Sequence, residues 1–219
     1  MNKFLKQEWP LLAILLLTFL AAAAVYPMMP DQVPIHWNAA GQVDGYGSRA
    51  FGTFFLPVMN LGIYVLFLVL PKLDPRKENY AKFGSSYRFI RYTFHFFMVY
   101  IFVITLLASL GYGVSIDRLV PIGVALLFIV LGNYMGKIRH NYFVGFRLPW
   151  TLANEEVWKK THQFGAKAMV IGGILAFLSV LVPDGTLRFP LFLICIFVPM
   201  IITGVYSYLI YQRLGKDQQ

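Results

Sequence analysis

The chain has 219 residues, of which 58% are hydrophobic and only 13% charged, with a mean hydropathy of +0.62. Soluble domains carry about 25% charged residues, so this balance excludes a water-soluble core under a charged surface and points to repeated bilayer crossing. The net charge of +9 is spread loop by loop rather than gathered on one soluble face, which speaks for membrane topology and against direct nucleic-acid binding.

Six apolar runs are predicted to span the membrane: residues 11–26, 51–70, 92–112, 119–135, 164–182 and 189–211. Each is near the ~20 residues a spanning helix needs. Pro10 and Pro190 fall where a helix start tolerates proline, whereas Pro57 and Pro199 lie inside runs and are expected to kink them. Lys3 and Lys6 ahead of the first run, with alanines at 21–24, have the outline of a secretory signal, but further spans follow and the run is read as the first helix. The fold class expected is an all-α polytopic membrane protein, one six-helix domain over residues 1–219. Residues 1–70 hold the first two helices and an outer loop; residues 119–211 hold the last three and a cytoplasmic loop. A lone Cys195 in the last run gives neither a disulfide framework nor a cysteine-based zinc site.

The loops set the orientation. Segment 27–50 carries Asp31, Asp44 and Arg49 and is net acidic. Segment 71–91 sets Lys72, Arg76, Lys77, Lys82, Arg88 and Arg91 against Asp74 and Glu78. Segment 136–163 sets Lys137, Arg139, Arg147, Lys159 and Lys160 against Glu155 and Glu156. The connections near Asp117–Arg118 and Asp184–Arg188 are neutral, and Arg213, Lys216 and Asp217 finish the chain. Lysine and arginine excess alternates with every crossing, which predicts both ends in the cytoplasm.

The outer loop is patterned. Pro27, Pro30 and Pro34 exclude a continuing helix, Val33 to Asn38 suits a short strand, residues 39–42 a turn, and Asp44-Gly45 a second turn. It is expected to cap the first two helices with Trp37 and Tyr46 at headgroup depth. It offers a recognition surface of His36, Trp37, Asn38, Gly41, Asp44, Gly45 and Tyr46. His36 and Asp44 alone do not complete a metal shell, so no metal or cofactor is expected.

The larger cytoplasmic segment is the second candidate, with Asn133, Arg147, Pro149, Trp150, Thr151, Trp158, Thr161 and His162. Asn154 suits a helix N-cap followed by Glu155 and Glu156 in the first turn, with i,i+4 lysines behind them. On that helix Trp158, Thr161, His162 and Gly165 share a face. The plain expectation is an interfacial amphipathic segment anchored by Trp150 and Trp158.

All ten acidic residues lie outside the six runs, and Lys167 is the one basic residue within them. His95 is expected to be a satisfied packing residue, with Asn60, Thr105 and Thr203 joining helices. Ion-coupled transporters place acids or histidines in mid-membrane, so coupled transport is disfavoured. No HExxH, GxSxG or phosphate-cradling glycine loop is present, and no catalytic residue is assigned. His36 with Asp44 leaves an outer-face enzyme or processing factor as one alternative; uncoupled permeation is another.

PDQVPIHWNAAGQVDGYGSR (30–49) resembles the outer motif of a bacterial membrane domain of unknown function found at the start of SdpI-type immunity proteins. LPKLDPRKENYAKF (70–83) resembles their first cytoplasmic loop, and VGFRLPWTLANEEVWKKTHQFGAK (144–167) their other defining motif. The resemblance implies an integral protein of the bacterial cytoplasmic membrane that protects its cell from a secreted, membrane-damaging peptide toxin. It also implies sensing of that toxin and capture of a cytoplasmic winged-helix repressor. The outer residues would face the toxin, and the inner ones would face the repressor or transmit the change.

Overall fold

The apolar runs fold as helices, and the polar segments between them fold onto the helix ends. In the computed structural model, which describes residues 3–216, the order is α1 (Lys3–Val25), a 3-10 turn (Tyr26–Met28), β1 (Gln32–Trp37), β2 (Val43–Ser48), α2 (Arg49–Leu73), α3 (Asn79–Lys82), α4 (Gly84–Ser109), α5 (Ile116–Met135), α6 (Pro149–Ala153), α7 (Glu155–Ser179) and α8 (Gly185–Lys216). Asp217, and the side chains of Lys3, Lys6 and Lys216, which the charge pattern used, lie outside the described residues.

Among the described residues, five helical stretches are long and apolar enough to cross a bilayer: Gln7–Met28, Arg49–Leu73, Gly84–Ser109, Ile116–Met135 and Gly185–Leu214. Leu16, Leu17, Leu66, Phe96, Ile171, Phe197 and Ile201 are exposed on them and on α7, an outward apolar surface suited to lipid and costly in water. The chain is therefore a mostly helical, multi-pass membrane protein. The sequence reading counted six spans; α7 has spanning length, 25 residues, but its first three turns are polar. It packs mainly against α5 and α8, so less of it meets lipid.

Small residues let these three helices approach closely. Ala125 and Ala176 are fully buried, and a side chain at Gly173 would meet the Ala125 carbonyl at 2.9 Å. Pro199 has no N–H for the Cys195 carbonyl one turn back, and α7 lays Gly172 against that freed oxygen, where a Cβ would stand at 2.6 Å.

Two features differ from the sequence reading. The helices begin earlier than the apolar runs, so Pro10 lies inside α1 and Glu8 becomes a buried helix residue. Glu8 makes a bidentate pair with Arg91 of α4, at 2.9 and 2.6 Å, with the Arg91 guanidinium 5.7 Å from the Tyr64 ring. One such pair joins α1 to α4 where the sequence reading left only apolar spans. His95, fully buried, meets the expectation of a satisfied packing residue only in part: its Nδ1 lies 2.7 Å from the Asn60 side-chain oxygen, while its Nε2 has no hydrogen-bond partner among the described residues.

Candidate functional site

The polar residues gather at the two ends of the bundle. At one end β1 and β2 form an antiparallel hairpin pairing Gln32 with Ser48, Val33 with Gly47, Pro34 with Tyr46 and Trp37 with Val43. The register breaks on both sides of His36, which pairs with Gly45. Asp44-Gly45 therefore lies in the second strand and does not form the expected turn. The single reversal is at 38–42, and Asn38 builds it: its side-chain oxygen accepts from the Ala40 and Gln42 amides, both at 3.0 Å. Gly41 takes φ +77°, and a Cβ there would stand 2.8 Å from that of Asp117. Asn38 and Gly41 thus shape the loop.

Val33, fully buried, pins the hairpin to Ala22, Phe102 and Leu106, so the cap covers α1 and α4 as well as α2 and reaches beyond the first two helices. Its tip rests on Asp117, at the start of α5, and Asp117 is paired with Arg188 of α8. His36 and Tyr46 are exposed, Trp37 is half-buried, and His36 Nδ1 lies 2.5 Å from Asp44 Oδ1. His36, Trp37, Phe51, Phe55 and Ile116 share a cavity of about 500 Å³. A His–Asp pair can orient a ring for proton transfer, but no hydroxyl or thiol bonds that ring among the described residues. No group of three metal-ligating side chains occurs there either.

At the other end two segments interlock, 74–83 between α2 and α4 and 136–148 after α5. Asp74, at the close of α2, is buried and accepts from the Arg76 amide (2.7 Å), the Tyr80 hydroxyl (3.1 Å) and the Tyr142 amide (2.9 Å). Asn141, fully buried, holds its own turn through the Phe143 and Val144 amides and the Arg139 and Val144 carbonyls. The Arg76 guanidinium donates to His140 Nδ1, and Asn79 donates to the His140 carbonyl at 2.8 Å. Burial, then the Arg76 charge, hold the His140 pKa below its ordinary value, while Glu155, the Leu152 carbonyl and Asp74 oppose them.

The motif at 144–167 closes on this platform. Asn154 caps α7 as expected, accepting from the Glu156 and Val157 amides, and Glu156 pairs with Lys160 at 2.8 Å. Trp158 is 1% exposed; its indole donates to the Ile138 carbonyl at 3.0 Å and stacks between His140 and His162, 4.9 and 4.0 Å away. Burial overturns its expected role as an interfacial anchor. His162 Nε2 accepts the Phe146 amide at 3.0 Å, so the proton sits on Nδ1, which donates to the Trp158 carbonyl at 2.8 Å. Gly145, at φ +114°, passes so close to that ring that no side chain fits. Thr151 Oγ1 accepts the Leu148 amide and donates to the Phe146 carbonyl. Trp150, half-buried, donates to Ser207 of α8 at 2.6 Å.

Thr151, Trp158, Thr161 and His162 are therefore interior, and only Asn133, Arg147 and Pro149 of the inner candidates are exposed. Asn133 turns back onto the Ile129 carbonyl of its own helix. Arg147 donates to the Tyr142 carbonyl at 3.3 Å. Asp74 and Tyr80 carry no functional expectation from the sequence; Asp-Pro after a long apolar run, a helix stop with its own acceptor, is the available signal.

Comparison with known proteins meets the same two ends. A model described as a domain of unknown function (DUF1648) matches residues 13–61, which include the hairpin. The model of the SdpI/YfhL protein family matches residues 137–209, which include the inner platform and α8. The chain is 31% identical over 207 residues to Immunity protein SdpI of Bacillus subtilis (strain 168), covering 94% of this chain and 96% of that protein. No solved structure matches the chain.

Proposed function

Because the chain belongs to the SdpI/YfhL protein family, we propose that it is an immunity protein of the bacterial cytoplasmic membrane, protecting its cell from a secreted membrane-active peptide toxin. The observation that carries this reading is the likeness to an immunity protein over 94% of the chain. In this proposal α7 is the sixth span and both chain ends are cytoplasmic, in line with the alternation of loop charge. The hairpin then faces outward with His36, Trp37, Asp44 and Tyr46 toward the toxin. The interlocked loops face the cytoplasm.

α8 supplies a physical link between the ends. Its first turn holds Arg188, paired with Asp117 under the hairpin tip. Its other end holds Ser207 and Tyr208, which grip Trp150 of the inner motif. Toxin that binds one setting of the hairpin better than another shifts α8, and with it the exposure of Arg147 and Tyr142, the surface offered to a cytoplasmic winged-helix repressor. Such coupling requires a difference in affinity between the two settings. The buried inner residues transmit the change.

Growth under toxin and co-fractionation of the repressor with membranes test this. His36→Ala and Trp37→Ala are expected to lower tolerance with protein levels unchanged. Arg147→Ala is expected to spare tolerance and abolish capture. Full tolerance and full capture in both outer variants would refute the assignment of the hairpin to the toxin.

A further inference from the structure

A cavity of about 450 Å³ opens at the inner end of the bundle, between the start of α4, the loop after α5 and the first turns of α7. Lys82, Lys137, Arg139 and Lys159 line it against a single acid, Glu155. All four cations are exposed, so none is neutralised by burial in a pair. The N-terminus of α4 also opens here. Its N-cap, Phe83, supplies no side-chain acceptor, so the first-turn amides at Ser85 and Ser86 add the positive end of a 26-residue helix. His140, 2% exposed, lines the same space. Charge and helix terminus both favour an anion.

What the anion is attached to follows from the groove beside it. One turn along α4 from Ser85, Phe89 stacks on Tyr134 of α5 at 4.8 Å, and the Lys137 ammonium lies 5.5 Å from the Tyr134 ring. One further turn along, the seam between α4 and α5 opens as an apolar cleft of about 320 Å³ lined by Phe96, Tyr100, Leu126 and Val130. Phe96, Leu126 and Val130 are exposed on the lipid-facing side, and Gly123 makes room for Tyr100. A basic cavity at the end of two spanning helices, with an apolar cleft further along the same seam beyond the Phe89–Tyr134 stack, matches a molecule with a phosphate head and an acyl tail.

We propose that this α4–α5 seam binds one anionic phospholipid, its phosphate in the basic cavity and one acyl chain in the cleft. The inference rests on the membrane reading of α4 and α5 and is independent of the immunity function. Bound lipid would bridge the segment between α2 and α4, at Lys82 and Phe83, and the loop after α5, the two pieces of the inner platform.

The test is lipid titration of the whole purified protein in mild detergent, read by tryptophan fluorescence, since Trp158 lines the cavity. Phosphatidylglycerol, phosphatidylcholine and glycerol 3-phosphate are the probes. Phosphatidylglycerol is expected to bind at least about tenfold tighter than phosphatidylcholine, from a factor of about five per engaged basic residue. K137Q/R139Q/K159Q should reduce that preference about fivefold or more. Val130→Phe, at an exposed position, should weaken both lipids and leave glycerol 3-phosphate unchanged. Equal affinity for the two lipids, or a preference that survives the triple substitution, overturns the proposal. Glycerol 3-phosphate binding as tightly as phosphatidylglycerol also overturns it, because the site would then be one for free phosphate esters.

Discussion

Replacing Arg91 by Met strands a carboxylate. In the native bundle Glu8 and Arg91 exchange two charge-assisted hydrogen bonds, with side chains only 10% and 8% exposed. The Tyr64 ring beside the Arg91 guanidinium carries no charge that could replace it. Removing one member of such a buried pair costs about 3–5 kcal/mol, because the survivor keeps its desolvation penalty and loses its partner. Removing both charges together, as in Glu8→Gln with Arg91→Met, deletes penalty and attraction alike and should stay within about 1–2 kcal/mol of the native protein. A double-mutant cycle on unfolding in mixed detergent micelles measures this, with thermal stability as a second readout. Arg91→Met is expected to be less stable than the double variant by about 2–3 kcal/mol, so the two single losses exceed the double loss. Additive losses in the cycle would show that the two groups do not rely on each other, and the pairing of α1 with α4 through them would be refuted.

Asp74→Ala leaves three donors, two amides and the Tyr80 hydroxyl, without their acceptor in a buried setting. A loss of about 2–4 kcal/mol is expected, with faster proteolysis of the 136–148 loop as its local signature. Trp150→Phe removes one indole bond to Ser207 and should cost about 1 kcal/mol while freeing α6 from α8. His140 titrates below its ordinary value of about 6.5, so the unfolded chain binds the extra proton first and stability falls as pH drops below about 6.5 toward the folded-state pKa. Thermal stability between pH 7.5 and 5 should decline more steeply for the native protein than for His140→Gln; equal slopes would place the effect elsewhere.

The membrane class was legible because it is written in composition: apolar runs of spanning length repeat whatever the packing. The hairpin's turn and the α7 cap were legible as well, since Asn38 and Asn154 act on backbone amides within four residues of themselves. Asp44-Gly45 misled because a turn-favouring pair also fits a strand whose partner bulges opposite it. Trp158 misled for a different reason. Tryptophan at a helix start beside lysines has the pattern of an interfacial anchor, and its burial depends on His140 and on Ile138, which lies 20 residues away, both brought there by the loop.

By itself the sequence determined the elements whose cause is local or additive: where apolar helices form, how charge is shared among the loops, where turns and caps close. Those depend on short-range hydrogen bonds and on summed transfer energies, which do not need a fold to be defined. Only the tertiary structure decided which polar residues are buried and with whom. Glu8 meets Arg91, Asp74 meets Tyr142, and the tip of the hairpin meets Asp117 and, through it, Arg188. A buried polar group is stable only when a partner from elsewhere in the chain reaches it, and that meeting is a property of packing.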